Sequence, residues 1–132
     1  PRRAVISENV FYKTGMSAIL IEADAAGWYE SGPVKDVLIE NNTFLDCANN
    51  NNKHAVIELN PSNTDINEKR PVHQNVRIIN NRFTSYGQTI LSAKSTSNLV
   101  FCNNEVTMYR KSSDTSSKRT CHSTRYRKQT FY

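Results

Sequence analysis

Hydrophobic and polar positions alternate along this chain at a period of two, and they do so in four separable copies. The copies are Ala4-Val5-Ile6-Ser7-Glu8-Asn9-Val10-Phe11, Val37-Leu38-Ile39-Glu40-Asn41-Asn42-Thr43-Phe44, Val76-Arg77-Ile78-Ile79-Asn80-Asn81-Arg82-Phe83 and Leu99-Val100-Phe101-Cys102-Asn103-Asn104-Glu105-Val106. They align without a gap. The first and third columns are apolar, the sixth is Asn in every copy, and the eighth is Phe, Phe, Phe and Val. Successive side chains of a strand point to opposite faces, so this alternation predicts strands.

A second strand is predicted after each of the first three copies, at Ser17 to Glu22, Ala55 to Asn60 and Thr89 to Lys94. Short turns containing Gly15, Ala48 and Gly87 precede them. Aligning Ile19, Ile57 and Leu91 makes Ile21, Leu59 and Ala93 their inward partners. The intervals Phe11 to Phe44, Phe44 to Phe83 and Phe83 to Val106 are 33, 39 and 23 residues. Strand motifs of constant form separated by unequal loops are what stacked coils permit.

The expected fold is therefore all-β, a right-handed parallel β-helix of about four coils spanning residues 1–108. Strands of successive coils lie about 4.8 Å apart, so equivalent residues stack. Asn9, Asn42, Asn81 and Asn104 should form an amide ladder, with Phe11, Phe44 and Phe83 as an aromatic column in the core. No segment sustains a 3.6-residue period, which excludes an all-helical fold. A Greek-key sandwich is the competing topology, but it gives no reason for a recurring Asn-x-Phe. Terminal coils expose open strand edges and need a cap. No capping helix is legible before Ala4, and the chain begins at Pro1. The expectation is a processed product or a piece of a longer chain, with further coils upstream.

Length and composition narrow the class. The 132 residues suit one domain, 37% hydrophobic and 22% charged. No apolar run reaches the roughly 18–20 residues of a membrane-spanning helix, so no membrane partner is expected. The net charge of +5 suggests nucleic acid until it is mapped. Residues 109–132 hold seven Lys/Arg against Asp114 alone, whereas the other 108 residues hold ten basic and eleven acidic side chains. The charge belongs to a Ser/Thr-rich C-terminal tail, read as a solvated end, and no nucleic-acid partner is expected. Cys47, Cys102 and Cys121 form no CxxC pair, which argues against a zinc ribbon. Cys47 is expected in the core, in the place of Thr14 and Tyr86. Cys102 and Cys121 can pair only if the tail folds back over the last coil. His54 and His73 have no Cys or carboxylate at ligand spacing, so no metal and no cofactor is expected.

Candidate chemistry lies on the second strands and the loop after the first of them. In the expected register Leu20 lies over Glu58 and Glu22 over Asn60, which places Glu22, Glu58, Asn60, Ser92 and Lys94 outward on one sheet. Glu22 and Glu58 would stand on the order of 8 Å apart by strand geometry. That lies within the roughly 6.5–9.5 Å separating acid from base in inverting glycosidases. They are the candidate catalytic pair, with solvated face residues as the alternative. The loop after the first coil, Ile19 to Pro33, holds Trp28, the only Trp, with Glu22, Asp24 and Glu30. A Trp ring beside carboxylates suits a sugar subsite, the ring on the apolar face of a pyranose and the acids on its hydroxyls. The alternative is a Trp folded back over the coil as a lid.

Three stretches carry a family resemblance: Phe11-Tyr12-Lys13-Thr14-Gly15-Met16-Ser17-Ala18-Ile19-Leu20-Ile21, Trp28-Tyr29-Glu30-Ser31-Gly32-Pro33-Val34-Lys35-Asp36-Val37 and Pro71-Val72-His73-Gln74-Asn75-Val76-Arg77-Ile78. They resemble the bacterial exo-acting α-1,3-galactosidases of glycoside hydrolase family 110, over roughly residues 1–106, the Trp-x-Glu-Ser-Gly-Pro loop most specifically. The segment looks like the C-terminal coils of those longer proteins. The resemblance implies removal of terminal α-1,3-linked galactose with inversion, without metal or nucleotide, by aspartates on neighbouring coils that are expected before Pro1. It implies Asp24, Trp28 and Glu30 as sugar contacts, to which the outward face adds Asn60. It also implies a carbohydrate partner and an exported protein, secreted or periplasmic. A non-catalytic carbohydrate-binding or structural β-helix is the alternative. A polysaccharide lyase would need a calcium-binding Asp cluster or a basic residue at the cleavage site, and only Lys94 qualifies.

Overall fold

The computed structural model describes residues 2–24, 32–50, 53–62, 71–109, 119–121 and 129–131, the last two segments by backbone only. The chain passes repeatedly through the same three sheets. The first pass comprises β1 (Arg2–Ser7), β2 (Val10–Tyr12) and β3 (Ile19–Ala23), and the second β4 (Lys35–Glu40), β5 (Thr43–Leu45) and β6 (Ile57–Pro61). The third comprises β7 (His73–Ile79), β8 (Arg82–Ser85) and β9 (Leu91–Ala93), and the fourth β10 (Thr96–Cys102) and β11 (Glu105–Met108). In the basic tail β12 (Arg119–Cys121) and β13 (Gln129–Phe131) follow. Sheet one has the order β1-β4-β7-β10-β13, sheet two β12-β11-β8-β5-β2, and sheet three β3-β6-β9. Among the described residues there is no helix.

Every pairing among β1–β11 is parallel. A Greek key is built from antiparallel neighbours and does not fit; the architecture is all-β, of parallel sheets, and consistent with a β-helix. The tail strands differ, β12 running antiparallel to β11 and β13 antiparallel to β10. They cover the last-pass edges of sheets one and two, edges that would otherwise present unpaired backbone groups. Cys121 lies opposite Val106 across this pairing, and Cys102 is a free thiol.

The register follows the aligned columns. Ala4 pairs with Val37 and Val37 with Val76, while Ile6, Ile39, Ile78 and Phe101 form the next inward row. These residues, with Ile57 and Leu59 from sheet three, make one apolar core. Its middle is the driest part: Ile39, Ile57, Leu59, Val76, Ile78 and Phe83 are all 0% exposed. Ala4, Ile6 and Phe11 on the first pass, and Phe101 and Val106 on the last, are only partly buried. Phe11, Phe44 and Phe83 stack at 4.8 and 4.7 Å between centroids, within 5° of parallel. That spacing is the interstrand distance itself.

The asparagine ladder is continuous. Nδ2 of Asn9 donates to Asn42 Oδ1 at 3.1 Å, Asn42 to Asn81 at 3.1 Å, and Asn81 to Asn104 at 3.0 Å. Each Oδ1 also accepts the backbone N–H of the preceding ladder residue, at 3.0, 2.9 and 2.9 Å. The residue before each ladder Asn turns the corner between sheets one and two in the left-handed region: Glu8, Asn41, Asn80 and Asn103 have φ of 60°, 55°, 56° and 53°. Asn tolerates this region better than most non-glycine residues, which accounts for the Asn-Asn doublets.

A second left-handed column, Arg3, Asp36, Asn75 and Asn98, kinks the strands of sheet one. Outside the core it forms another ladder, Asn75 Nδ2 donating to Asp36 Oδ1 at 2.7 Å and Asn98 Nδ2 to Asn75 Oδ1 at 2.9 Å. One expected alignment shifts. Cys47 is buried as expected, but β8 runs a residue further than β5, so Ser85 points inward at 1% exposure and Tyr86 turns outward at 39%.

Candidate functional site

Sheet three has the expected register: Leu20 pairs with Glu58, Glu22 with Asn60, and Glu58 with Ser92. Ile19, Ile21, Ile57 and Leu59 take the inward positions, so Glu22, Glu58, Asn60 and Ser92 share the outer face. The face is tied together by side-chain contacts. Glu58 Oε2 accepts the Ser17 hydroxyl at 2.9 Å and lies 3.2 Å from His54 Nδ1. Glu22 Oε1 accepts the hydroxyl of Ser62. Lys94 Nζ donates to Asn60 Oδ1 at 2.9 Å. Ser17 and His54 precede their strands and Ser62 follows its strand, so the two carboxylates are drawn toward opposite ends of the sheet. The result is a half-buried polar face of two carboxylates, an ammonium, an imidazole and hydroxyls, suited to a ligand rich in hydroxyl groups.

Asp24 follows β3 directly and is only 3% exposed. Trp28 and Glu30 lie outside the described residues. Sequence reasoning missed Ser17, His54 and Ser62. The four-residue spacing of His54 and Glu58 ordinarily signals neighbours on a helix; here a bend before β6 brings them together. The groups named are individually common on exposed strands, and only the register makes them neighbours.

His73, at the start of β7, is fully buried. Its Nδ1 accepts the Val34 N–H at 3.3 Å, which leaves the proton on Nε2, and that atom has no hydrogen-bond partner among the described residues. Burial pushes its pKa down to about 4, so the ring is neutral near neutrality. Among the described residues no three His, Cys, Asp or Glu side chains converge as a metal-binding group.

A different group of side chains lies at the corner where the chain leaves sheet two. Lys13, Asp46, Tyr86 and Tyr109 each follow immediately after β2, β5, β8 and β11. The rings of Tyr86 and Tyr109 stack with centroids 5.4 Å apart, and Lys13 Nζ sits 5.2 Å from the centre of the Tyr12 ring. The Lys13 pKa is raised, first by the adjacent Tyr12 and further by Asp46 and Tyr86.

The parallel sheets define the class of protein, an all-β fold with its polar groups gathered on sheet faces and corners. No protein-family model matches the chain. Individual proteins do. Alpha-1,3-galactosidase A of Bacteroides fragilis is 62% identical over 107 residues, which are 80% of this chain and 18% of that protein. Alpha-1,3-galactosidase B of Bacteroides thetaiotaomicron is 44% identical over 107 residues, 79% of this chain and 17% of the relative. Alpha-1,3-galactosidase B of Akkermansia muciniphila is 38% identical over 109 residues, 80% of this chain and 14% of the relative. Over about four fifths of its length the chain is thus similar to part of these bacterial α-1,3-galactosidases. It spans less than a fifth of the length of these relatives.

Proposed function

We propose that the chain is the C-terminal part of a glycoside hydrolase that removes terminal α-1,3-linked galactose with inversion of configuration. Its residues 1–108 form four coils of a right-handed parallel β-helix, and residues 109–132 are a separate tail. The 62% identity over 107 residues to an α-1,3-galactosidase carries this reading. The repeated visit to the same three sheets supports the coil, and the right hand is the one parallel crossovers almost always take. The outer face of sheet three is a wall of the substrate cleft. Glu22 and Glu58 are the carboxylates on it, and Asp24, Trp28, Glu30 and Asn60 are the sugar contacts. The protein acts on glycans outside the cytoplasm, secreted or periplasmic.

One observation favours a second reading, a sugar-binding wall without catalysis. Glu58 and Glu22 already accept hydrogen bonds from neighbouring side chains. An acid/base pair must instead exchange protons with substrate and water.

The test is hydrolysis of a Gal-α-1,3-Gal disaccharide, with the released anomer followed by NMR and Glu22→Gln and Glu58→Gln run alongside. Release of β-galactose that either variant abolishes places an inverting pair on this face. Turnover unchanged in both variants removes these carboxylates from the chemistry. Binding without turnover assigns the chain the wall alone.

A further inference from the structure

At the corner beyond sheet two, Lys13, Asp46 and Tyr86 stand on successive passes. The register sets Asp46 of the second pass level with Ser85, and Tyr86 lies one position further along this corner. Lys13, on the first pass, lies beside the Tyr12 ring. The first and third passes are two interstrand steps apart, on the order of 10 Å. One face of the Tyr86 ring is covered by Tyr109. Gln88 joins the Tyr86 backbone to Asp46, and both Asp46 and Tyr86 lie near enough to Lys13 to raise its pKa. We infer that these groups frame a notch that binds one pyranose residue of a glycan, its apolar face on Tyr86 and its hydroxyls on the Asp46 carboxylate and the Lys13 ammonium.

The mounting of these groups supports a binding role. Gln88 is 2% exposed and directs its whole amide at the corner. Its Oε1 accepts the Tyr86 N–H at 2.6 Å and the Ser85 hydroxyl at 2.7 Å, while Nε2 donates to Asp46 Oδ1 at 3.2 Å. Tyr109 N–H is fixed to the Ser85 carbonyl at 2.7 Å. A buried amide with every polar atom engaged thus fixes the backbone of an exposed ring and one oxygen of a half-buried carboxylate. Aromatic groups held in this way lose little freedom when a ligand arrives. Tyr86 and Tyr109 nonetheless keep 39% and 37% of their surface exposed. An aromatic face, one anion and one cation match a neutral ligand with a flat apolar side and many hydroxyls.

The choice of a sugar rests on the proposed glycan-processing role, and the corner is distinct from the sheet-three face. The experiment is an NMR titration of the whole chain with Gal-α-1,3-Gal and, separately, with cellobiose. The expected result is saturable shifts at Asp46, Tyr86 and Gln88 with at least one sugar. Tyr86→Ala should raise Kd about tenfold, the size of a lost stacking contact. Tyr86→Phe should preserve binding, and Glu58→Gln should leave these shifts unchanged. Tyr86 is exposed, and an unchanged melting temperature confirms that its variants fold. Absence of shifts with both sugars, or an unaltered Kd in Tyr86→Ala, overturns the notch. So does a shift pattern that follows protein concentration rather than sugar, which marks contact between copies. Notch binding of cellobiose alone, with no galactoside bound or hydrolysed, refutes the galactosidase reading and leaves the notch standing.

Discussion

Asn81→Ala removes one of the two interior members of the amide ladder. Asn81 Oδ1 accepts Asn42 N at 2.9 Å and Asn42 Nδ2 at 3.1 Å. Its own Nδ2 reaches Asn104 Oδ1, Ile39 O and Ile79 O, each at 3.0 Å. After truncation Asn42 Nδ2 still has the carbonyls of Ile6 and Glu40, but the buried Asn42 N–H has nothing. An orphaned buried donor costs about 1–3 kcal/mol. A small void where the amide stood adds to it, giving a total of about 3 kcal/mol. Asn9→Ala is the matched control, because Asn42 Oδ1 keeps the Asn9 backbone N–H at 3.0 Å and nothing buried is orphaned. It should cost less than about 1 kcal/mol. Urea unfolding followed by far-UV circular dichroism reads the difference. At about 2 kcal/mol per molar urea, Asn81→Ala should lower the midpoint by about 1.5 M and Asn9→Ala by less than about 0.5 M. Equal shifts in the two variants would refute the claim that the ladder stabilises by satisfying buried groups.

His73 gives a pH dependence of known sign. Its folded pKa is lowered to about 4 from 6.5, so its contribution is complete above pH 6.5 and is lost as pH falls toward 4, by up to roughly 3 kcal/mol. Urea midpoints measured from pH 8 to pH 4 should fall less steeply in His73→Gln, and parallel slopes would exclude His73 as the source. Phe44→Ala should cost about 3–5 kcal/mol, and Phe11→Ala, at the partly open end of the stack, clearly less; thermal melts that rank them the other way contradict the assigned core. Arg82 and Glu105 pair at 3.0 Å with side chains 66% and 58% exposed, so Arg82→Ala should change stability by no more than about 0.5 kcal/mol, tested in the same urea series with and without added salt.

The core columns were legible because one short pattern occurs repeatedly. A single Val-x-Ile is ambiguous, but four aligned copies also set the register, and Ile19, Ile57 and Leu91 did the same for sheet three. Backbone conformation was not legible. No sequence pattern gives Glu8, Asn41, Asn80 and Asn103 the left-handed φ angles that make them the corner. The Asp36, Asn75 and Asn98 ladder was hidden similarly, since polar residues just before an apolar column look like ordinary loop ends. Tyr86 was misplaced because a strand can lengthen by one residue without changing composition. On the sheet-three face the carboxylates were found by register, whereas Ser17, His54 and Ser62 come from the bends flanking the strands, where alternation carries no information.

The ladder has a direction. Each amide turns its oxygen toward the first pass and its nitrogen toward the last, so the side-chain dipoles add head to tail along the stack. At the first-pass end Asn9 presents a carbonyl oxygen; at the other, Asn104 Nδ2 donates back to the Ile78 carbonyl at 2.9 Å. The row of asparagines is therefore a polarity filter: a strand layer stacked against the first pass continues it only by arriving with its donors forward.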